Sequence, residues 1–177
     1  MKLYYTPGAC SLASHIVLCE SGLPYTLERV DLRNKTIADG RDFLAINPLG
    51  YVPVLELNNG EMLTEGTAIL FYLAQGSPLW PTEPRQQAEV LKWLFFEQYS
   101  HEPYIAVARF IVHYLGRPES QEARLDGLKA GGEKALAVLE QQLKQSPYLC
   151  GDSPTIADIA LYAYTHVAEE GIFSLQG

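Results

Sequence analysis

Tyr5, Cys10 and Ser11 bring a phenol, a thiol and a hydroxyl into one short stretch, Tyr5-Thr6-Pro7-Gly8-Ala9-Cys10-Ser11. Lys2 to Tyr5 reads as a strand, Pro7-Gly8 as a turn, and Cys10 as the start of a helix. A sulfur at a helix start meets backbone N–H groups without intrahelical partners and the positive end of the helix dipole. Both favour a thiolate. An ordinary cysteine with a pKa of about 8.5 is only about 3% ionised at pH 7. Lowering that pKa to 7 takes about 2 kcal/mol, and a helix end typically supplies about 0.3–1. An activated Cys10 therefore needs added hydrogen bonds, from Ser11 or nearby amides. The alternative is a small packed cysteine followed by an ordinary N-capping serine, and position alone does not separate the two.

The elements that must hold these groups follow from punctuation and periodicity. The first helix runs to about Glu20, with Leu12, Ile16 and Cys19 roughly on one face, and Ser21-Gly22-Leu23-Pro24 ends it. Tyr25–Leu32 alternates as a second strand, parallel to the first across a helical crossover. Residues 33–40, which include Lys35, read as a loop or irregular helix, and Arg41–Ile46 as a short helix. After the Asn47-Pro48-Leu49-Gly50 turn come strands at Tyr51–Leu57 and Glu61–Leu63, joined by Asn58-Asn59-Gly60. A helix then starts at Thr64-Glu65-Gly66-Thr67 and runs to about Gln75. The order is β-α-β-α-β-β-α over residues 1–76. A proline-rich linker spans 77–85, and residues 86–177 are all-helical. Pro103 is expected to kink or divide a helix over Arg85–Leu115, and Gly131-Gly132 to weaken the middle of Glu119–Gln145. Thr155 caps the last helix, with Asp158 in the capping-box position.

The chain has 177 residues, 13 Lys and Arg against 21 Asp and Glu, and a formal net charge of −8. That balance argues against a nucleic-acid groove or an anionic membrane surface. An anionic ligand needs a local positive site. No transmembrane stretch or secretory leader is expected. Cys10, Cys19 and Cys150 form no CxxC pair, so neither a metal site nor a disulfide scaffold is expected, and the cytoplasm is the expected compartment. Cys19 and Cys150 are read as packing residues.

Three motifs together resemble the cytosolic glutathione S-transferases, specifically the bacterial beta class. They are Tyr5-Thr-Pro-Gly-Ala-Cys10-Ser11-Leu-Ala-Ser14-His15; Asn47-Pro48-Leu-Gly50-Tyr-Val52-Pro53-Val-Leu with Leu63-Thr-Glu65-Gly66; and Gly151-Asp-Ser-Pro-Thr155-Ile-Ala157-Asp158. The resemblance implies a thioredoxin-like α/β domain followed by an all-α domain. It implies that Pro53 is cis and that Val52 offers its backbone to the cysteinyl part of glutathione as an added strand. It implies that the N–H groups at Glu65-Gly66 hold the γ-glutamyl carboxylate, that Glu65 takes the γ-glutamyl ammonium, and that Lys35 pairs with the glycyl carboxylate. Many family members have Ser where this chain has Gly66, so one hydroxyl contact is missing.

Glutathione's own thiol is the family's nucleophile, and Cys10 can form a mixed disulfide with glutathione. Cys10 supported by Ser11 is the favoured pair beside that thiol, and Tyr5 is the competing donor. The family is dimeric, and His101 is the residue expected to reach a partner subunit's glutathione. Thr155 and Asp158 match a folding motif. The helical domain is shorter at its C-terminal end than the family's usual length, from which lower stability or a more open electrophile site is expected.

The expected function is conjugation of glutathione, as co-substrate, to small apolar electrophiles by a homodimer. A glutathione-dependent disulfide reductase or peroxidase working through Cys10 is the alternative. A non-catalytic binding protein on the same fold is another.

Overall fold

The computed structural model describes residues 1–176, which form two compact units, Met1–Trp80 and a helical unit that starts at Pro81. The division falls within the proline-rich stretch. Leu79 and Trp80 are buried, and the Trp80 ring meets Phe71 edge-on at 4.8 Å within the first unit.

The first unit contains β1 (Lys2–Tyr5), α1 (Ser11–Ser21), β2 (Thr26–Asp31), β3 (Thr36–Ile37), a 3-10 turn at Phe43–Ala45, β4 (Val54–Glu56), β5 (Met62–Leu63) and α2 (Gly66–Ala74). The five strands form one sheet in the order β3-β2-β1-β4-β5. β1 runs parallel to β2, with Leu3 opposite Leu27, and antiparallel to β4, with Tyr4 opposite Val54. Gly22 ends α1 at φ 64°, the left-handed position that glycine fills at low cost. Tyr4, Val30, Ile37, Phe43, Val52 and Val54 form a buried cluster. It fastens the segment before Val52 to the sheet.

Three local expectations change. Residues 33–40 hold a short strand, because Ile37 is buried in that cluster while charged neighbours mask it in the sequence. The expected helix at Arg41–Ile46 is a single 3-10 turn, started by Asp42, whose carboxylate accepts from the Leu44 N–H. α1 buries Ala13, Ser14, Val17 and Leu18 rather than the face of Leu12, Ile16 and Cys19. Small Ala13 and Ser14 allow close helix packing, whereas Cys19 is exposed.

The helical unit contains α3 (Pro84–Phe96), a π-helical stretch at Glu97–His101, α4 (Glu102–Arg109), a second π-helical stretch at Phe110–Tyr114, a 3-10 turn at Glu119–Gln121, α5 (Glu122–Leu143), α6 (Ile156–Thr165) and a 3-10 turn at Ala168–Glu170. Pro103 sits in the first turn of α4, directly after the first π stretch, where the Glu102 N–H reaches back to the Glu97 carbonyl. The helix accommodates the proline by changing register there. Gly131-Gly132 is a packing device in an unbroken 22-residue helix. A β-carbon at Gly131 would fall 2.2 Å from the Tyr104 ring, and one at Gly132 would fall 2.2 Å from Phe173. At α6, the Thr155 hydroxyl accepts from the Ala157 N–H, and Asp158 accepts from the N–H groups of Thr155 and Leu149.

Candidate active site

In the first unit, the loop from β1 to α1 faces the segment before β4. Cys10 occupies the N-cap position of α1, and its Sγ donates to the Val52 carbonyl oxygen at 3.2 Å. Val52–Pro53 is a cis peptide bond. Among the described residues, the Val52 N–H has no backbone partner. Val52 thus presents one unused donor and one acceptor engaged by a thiol, the pattern needed to add an extended peptide as a strand.

Ser11 is fully buried. Its Oγ accepts from the Thr6 N–H and donates to the Thr6 carbonyl, both at 3.2 Å. It closes the loop that carries Cys10. Its hydroxyl is directed to Thr6, not to the Cys10 sulfur, because these two backbone groups need partners inside the turn. Tyr5 is half-buried, with its ring 6.3 Å from that of His15.

The start of α2 lies beside Pro53. A β-carbon at Gly66 would stand 3.8 Å from Pro53 Cγ and Cδ. Glu65 is the N-cap residue, with φ 68° and ψ 116° and no side-chain capping bond. This backbone conformation is costly for a residue other than glycine, and it leaves the first N–H groups of α2 uncapped. Lys35, at φ 55°, reaches the segment before Val52: its Nζ donates to the Gly50 carbonyl at 2.8 Å and lies 5.8 Å from the centre of the Tyr51 ring.

In the sequence Asn47 marks only a turn; in the structure it positions the segment. It is buried, its Nδ2 donates to the Tyr51 carbonyl at 2.8 Å, and its Oδ1 accepts from the Leu49 N–H. An asparagine before Pro-Leu-Gly signals a turn; its hold on Tyr51, next to Val52, follows only from the fold. Gly50, at φ 67°, is closely surrounded: a β-carbon there would meet Lys35 Cδ at 3.2 Å.

His101 does not fit its expected role. It lies inside the helical unit with no exposed surface. The Thr165 hydroxyl donates to the Leu161 carbonyl at 2.7 Å, so His101 Nε2–H donates to Thr165 Oγ1 at 2.9 Å. Nδ1 is then the bare nitrogen, buried without a hydrogen-bond partner. Burial lowers the pKa of His101 to about 4, leaving the ring neutral. The neighbouring Glu97 is pushed up to about 8, chiefly by burial and then by the Glu102 charge. A cavity of about 830 Å³ in the helical unit is walled by α5, α6 and residues 174–176, and none of the predicted site residues lines it.

Two units of this kind, a sheet domain built from a β-α-β start and a β-β-α end with a cis proline opposite a cysteine at the start of α1, and a helical domain, define a thioredoxin-like transferase architecture. Residues 8–75 match the family model for the glutathione S-transferase N-terminal domain, and residues 122–169 match that for the C-terminal domain. The chain is 38% identical to glutathione S-transferase GstA of Escherichia coli O157:H7, over all of this chain and 87% of that protein. It is 50% identical to a glutathione S-transferase from Pseudomonas fluorescens, with a TM-score of 0.91 over 98% of this chain and 87% of that one. A sphingomonad glutathione S-transferase complexed with glutathione is 35% identical, with a TM-score of 0.84 over 98% of this chain and 85% of that one. The chain belongs to the glutathione S-transferase family and is close to bacterial beta-class structures, one of which is 30% identical.

Proposed function

We propose that this protein binds glutathione along Val52–Pro53 and the start of α2 and adds its thiol to small apolar electrophiles. The observation that carries this reading is the convergence on one segment: the Cys10 sulfur on the Val52 carbonyl, and Gly66 against Pro53. The glutathione complex of the sphingomonad relative supports the choice of peptide. In this reading, the cysteinyl backbone pairs with Val52 and displaces the Cys10 thiol from the carbonyl. The γ-glutamyl carboxylate takes the N–H groups of Gly66 and Thr67, and Glu65 takes the ammonium. Lys35 leaves Gly50 for the glycyl carboxylate and supplies the local positive charge that a chain of net charge −8 otherwise lacks. The displaced Cys10 S–H and the Tyr5 hydroxyl are the donors for glutathione's thiolate. Ser11 acts through the loop it closes.

The Cys10–Val52 contact also favours a second reading, because it holds a thiol where the cysteinyl unit pairs. Cys10 as thiolate attacks the glutathione sulfur of a mixed disulfide and releases the other thiolate. A second glutathione thiolate then takes that sulfur, leaves as glutathione disulfide, and returns Cys10.

A homodimer fits the exposed stripe of Leu91, Phe95 and Tyr99, spaced four residues apart along α3 and the π stretch and 38%, 60% and 77% exposed. Among the described residues no helix is long and apolar enough to cross a membrane; the cytoplasm remains the compartment we propose.

Product analysis tests the function. Wild type incubated with glutathione and an aryl halide is expected to give the thioether, identified by mass. Retention on immobilised glutathione with no turnover of a broad electrophile and disulfide panel would make the protein a binding module instead.

A further inference from the structure

We propose that His15, Cys19 and Tyr25 form a surface site for a thiophilic metal ion, represented by Zn(II). His15 and Cys19 are four residues apart on α1, so their side chains leave the same face of the helix. Both reach a single atom. The Tyr25 hydroxyl oxygen lies 3.0 Å from His15 Nε2 and 3.1 Å from Cys19 Sγ. A nitrogen and a sulfur donor thus meet at one phenol oxygen, a set of N, S and O atoms suited to a borderline-soft ion. The third donor is a phenol; among the described residues no three of His, Cys, Asp and Glu gather.

The surroundings favour a cation. Cys19 lies in the last turn of α1, where the carbonyl end of the helix carries negative partial charge, and no basic side chain occupies that turn. The neighbouring Glu20 is exposed and adds a negative charge. His15 is half-buried between two rings, with Tyr5 at 6.3 Å and Tyr25 edge-on at 5.6 Å, which limits its rotation. Cys19 is exposed, so an ion reaches it from solvent.

Binding is an exchange of a proton for a metal ion. Zn(II) joins the Cys19 sulfur, whose proton leaves to solvent. His15 binds through the Nε2 lone pair with its proton on Nδ1. The phenol either completes the set or donates to the sulfur, and water fills the remaining positions.

The test titrates the full chain with Zn(II) against a chromophoric chelator, and then with Co(II), whose thiolate complex absorbs. The expected result is one ion per chain and about one proton released per ion. Cys19→Ser and His15→Gln each weaken binding by at least about tenfold, the size of effect that even outer partners of metal ligands produce. Tyr25→Phe weakens it less. Circular dichroism checks that each variant is folded. Three results overturn the proposal: no binding by wild type at millimolar Zn(II); binding lost in Cys10→Ser or Cys150→Ser but kept in Cys19→Ser; or full binding by the His15→Gln/Cys19→Ser double variant.

Discussion

The Cys10 sulfur stands 3.2 Å from the carbonyl oxygen of Val52, a residue 42 positions along the chain. The thiol therefore occupies the acceptor that an added peptide strand needs. Removing the thiol opens that acceptor. For Cys10→Ala, KM for glutathione is expected not to rise, and kcat for conjugation to stay within about tenfold, a change of about 1.4 kcal/mol. Disulfide exchange through the protein is lost in the same variant. Steady-state kinetics on both reactions decide it; conjugation that disappears with Cys10 would assign the sulfur to the conjugating chemistry itself.

Gly66 offers a gain-of-binding experiment. A β-carbon there meets only Pro53, at an ordinary contact distance of 3.8 Å. Gly66→Ser adds a hydroxyl at the start of α2 without displacing anything. One hydrogen bond of about 0.5–1.5 kcal/mol lowers KM for glutathione about two- to tenfold, with kcat little changed. An unchanged KM would separate the glutamyl end of glutathione from this helix start.

Glu65 trades stability against binding. Its backbone, at φ 68° and ψ 116°, suits glycine better than glutamate. Glu65→Gly is expected to raise stability by about 1 kcal/mol through relief of that strain. The same change raises KM for glutathione by about tenfold or more, because a charged hydrogen bond of about 1.5–3 kcal/mol is lost. Denaturant melts and kinetics on one preparation read both. Glu65→Gln keeps the backbone cost and loses only part of the binding.

The pH dependence of stability follows from Glu97 and His101. Glu97 has a folded pKa of about 8 against an ordinary 4.5, so the folded state holds a proton that the unfolded state gives up. That stabilisation is complete below about pH 4.5 and is lost as pH rises to about 8. His101 is held near 4 against an ordinary 6.5. Its contribution is present above about pH 6.5 and is lost as pH falls towards 4. The two slopes oppose each other between about pH 4.5 and 6.5. From about 6.5 to 8 the Glu97 slope stands alone, at most about 1.4 kcal/mol per pH unit. Urea midpoints are expected to fall over that upper window in wild type and to stay level in Glu97→Gln. A level wild-type profile there would mean that Glu97 is already ionised at neutral pH.

Asp158 accepts from two backbone N–H groups, those of Leu149 and Thr155. Asp158→Ala leaves both without that acceptor and is expected to cost about 2–4 kcal/mol. KM for glutathione in the folded fraction is expected to match wild type. A changed KM with unchanged stability would give this residue a binding role.

The elements fixed by neighbours in the chain were legible from residue types. The parallel β1–α1–β2 start, the turn at Asn58-Asn59-Gly60, the glycine that ends α1 and the Thr155–Asp158 box each rest on interactions spanning a few residues, and each is in the structure. Motif resemblance added what no local rule gives: the cis bond at Val52–Pro53 and the family. Contacts between distant segments were not legible, because they depend on which faces pack. Packing turned the Ser11 hydroxyl to Thr6, set Ile37 in the core as a strand, and exposed Cys19 beside Tyr25. It also buried His101 against Thr165, 64 residues away. The sequence by itself determined the β1–α1–β2 start, the β4–β5 hairpin, the helix after it and the helical second unit, together with the chemical groups near the loop after β1. The tertiary structure alone decided where each hydroxyl, thiol and imidazole points, because a side chain's hydrogen bond goes to whichever partner long-range packing brings within about 3 Å.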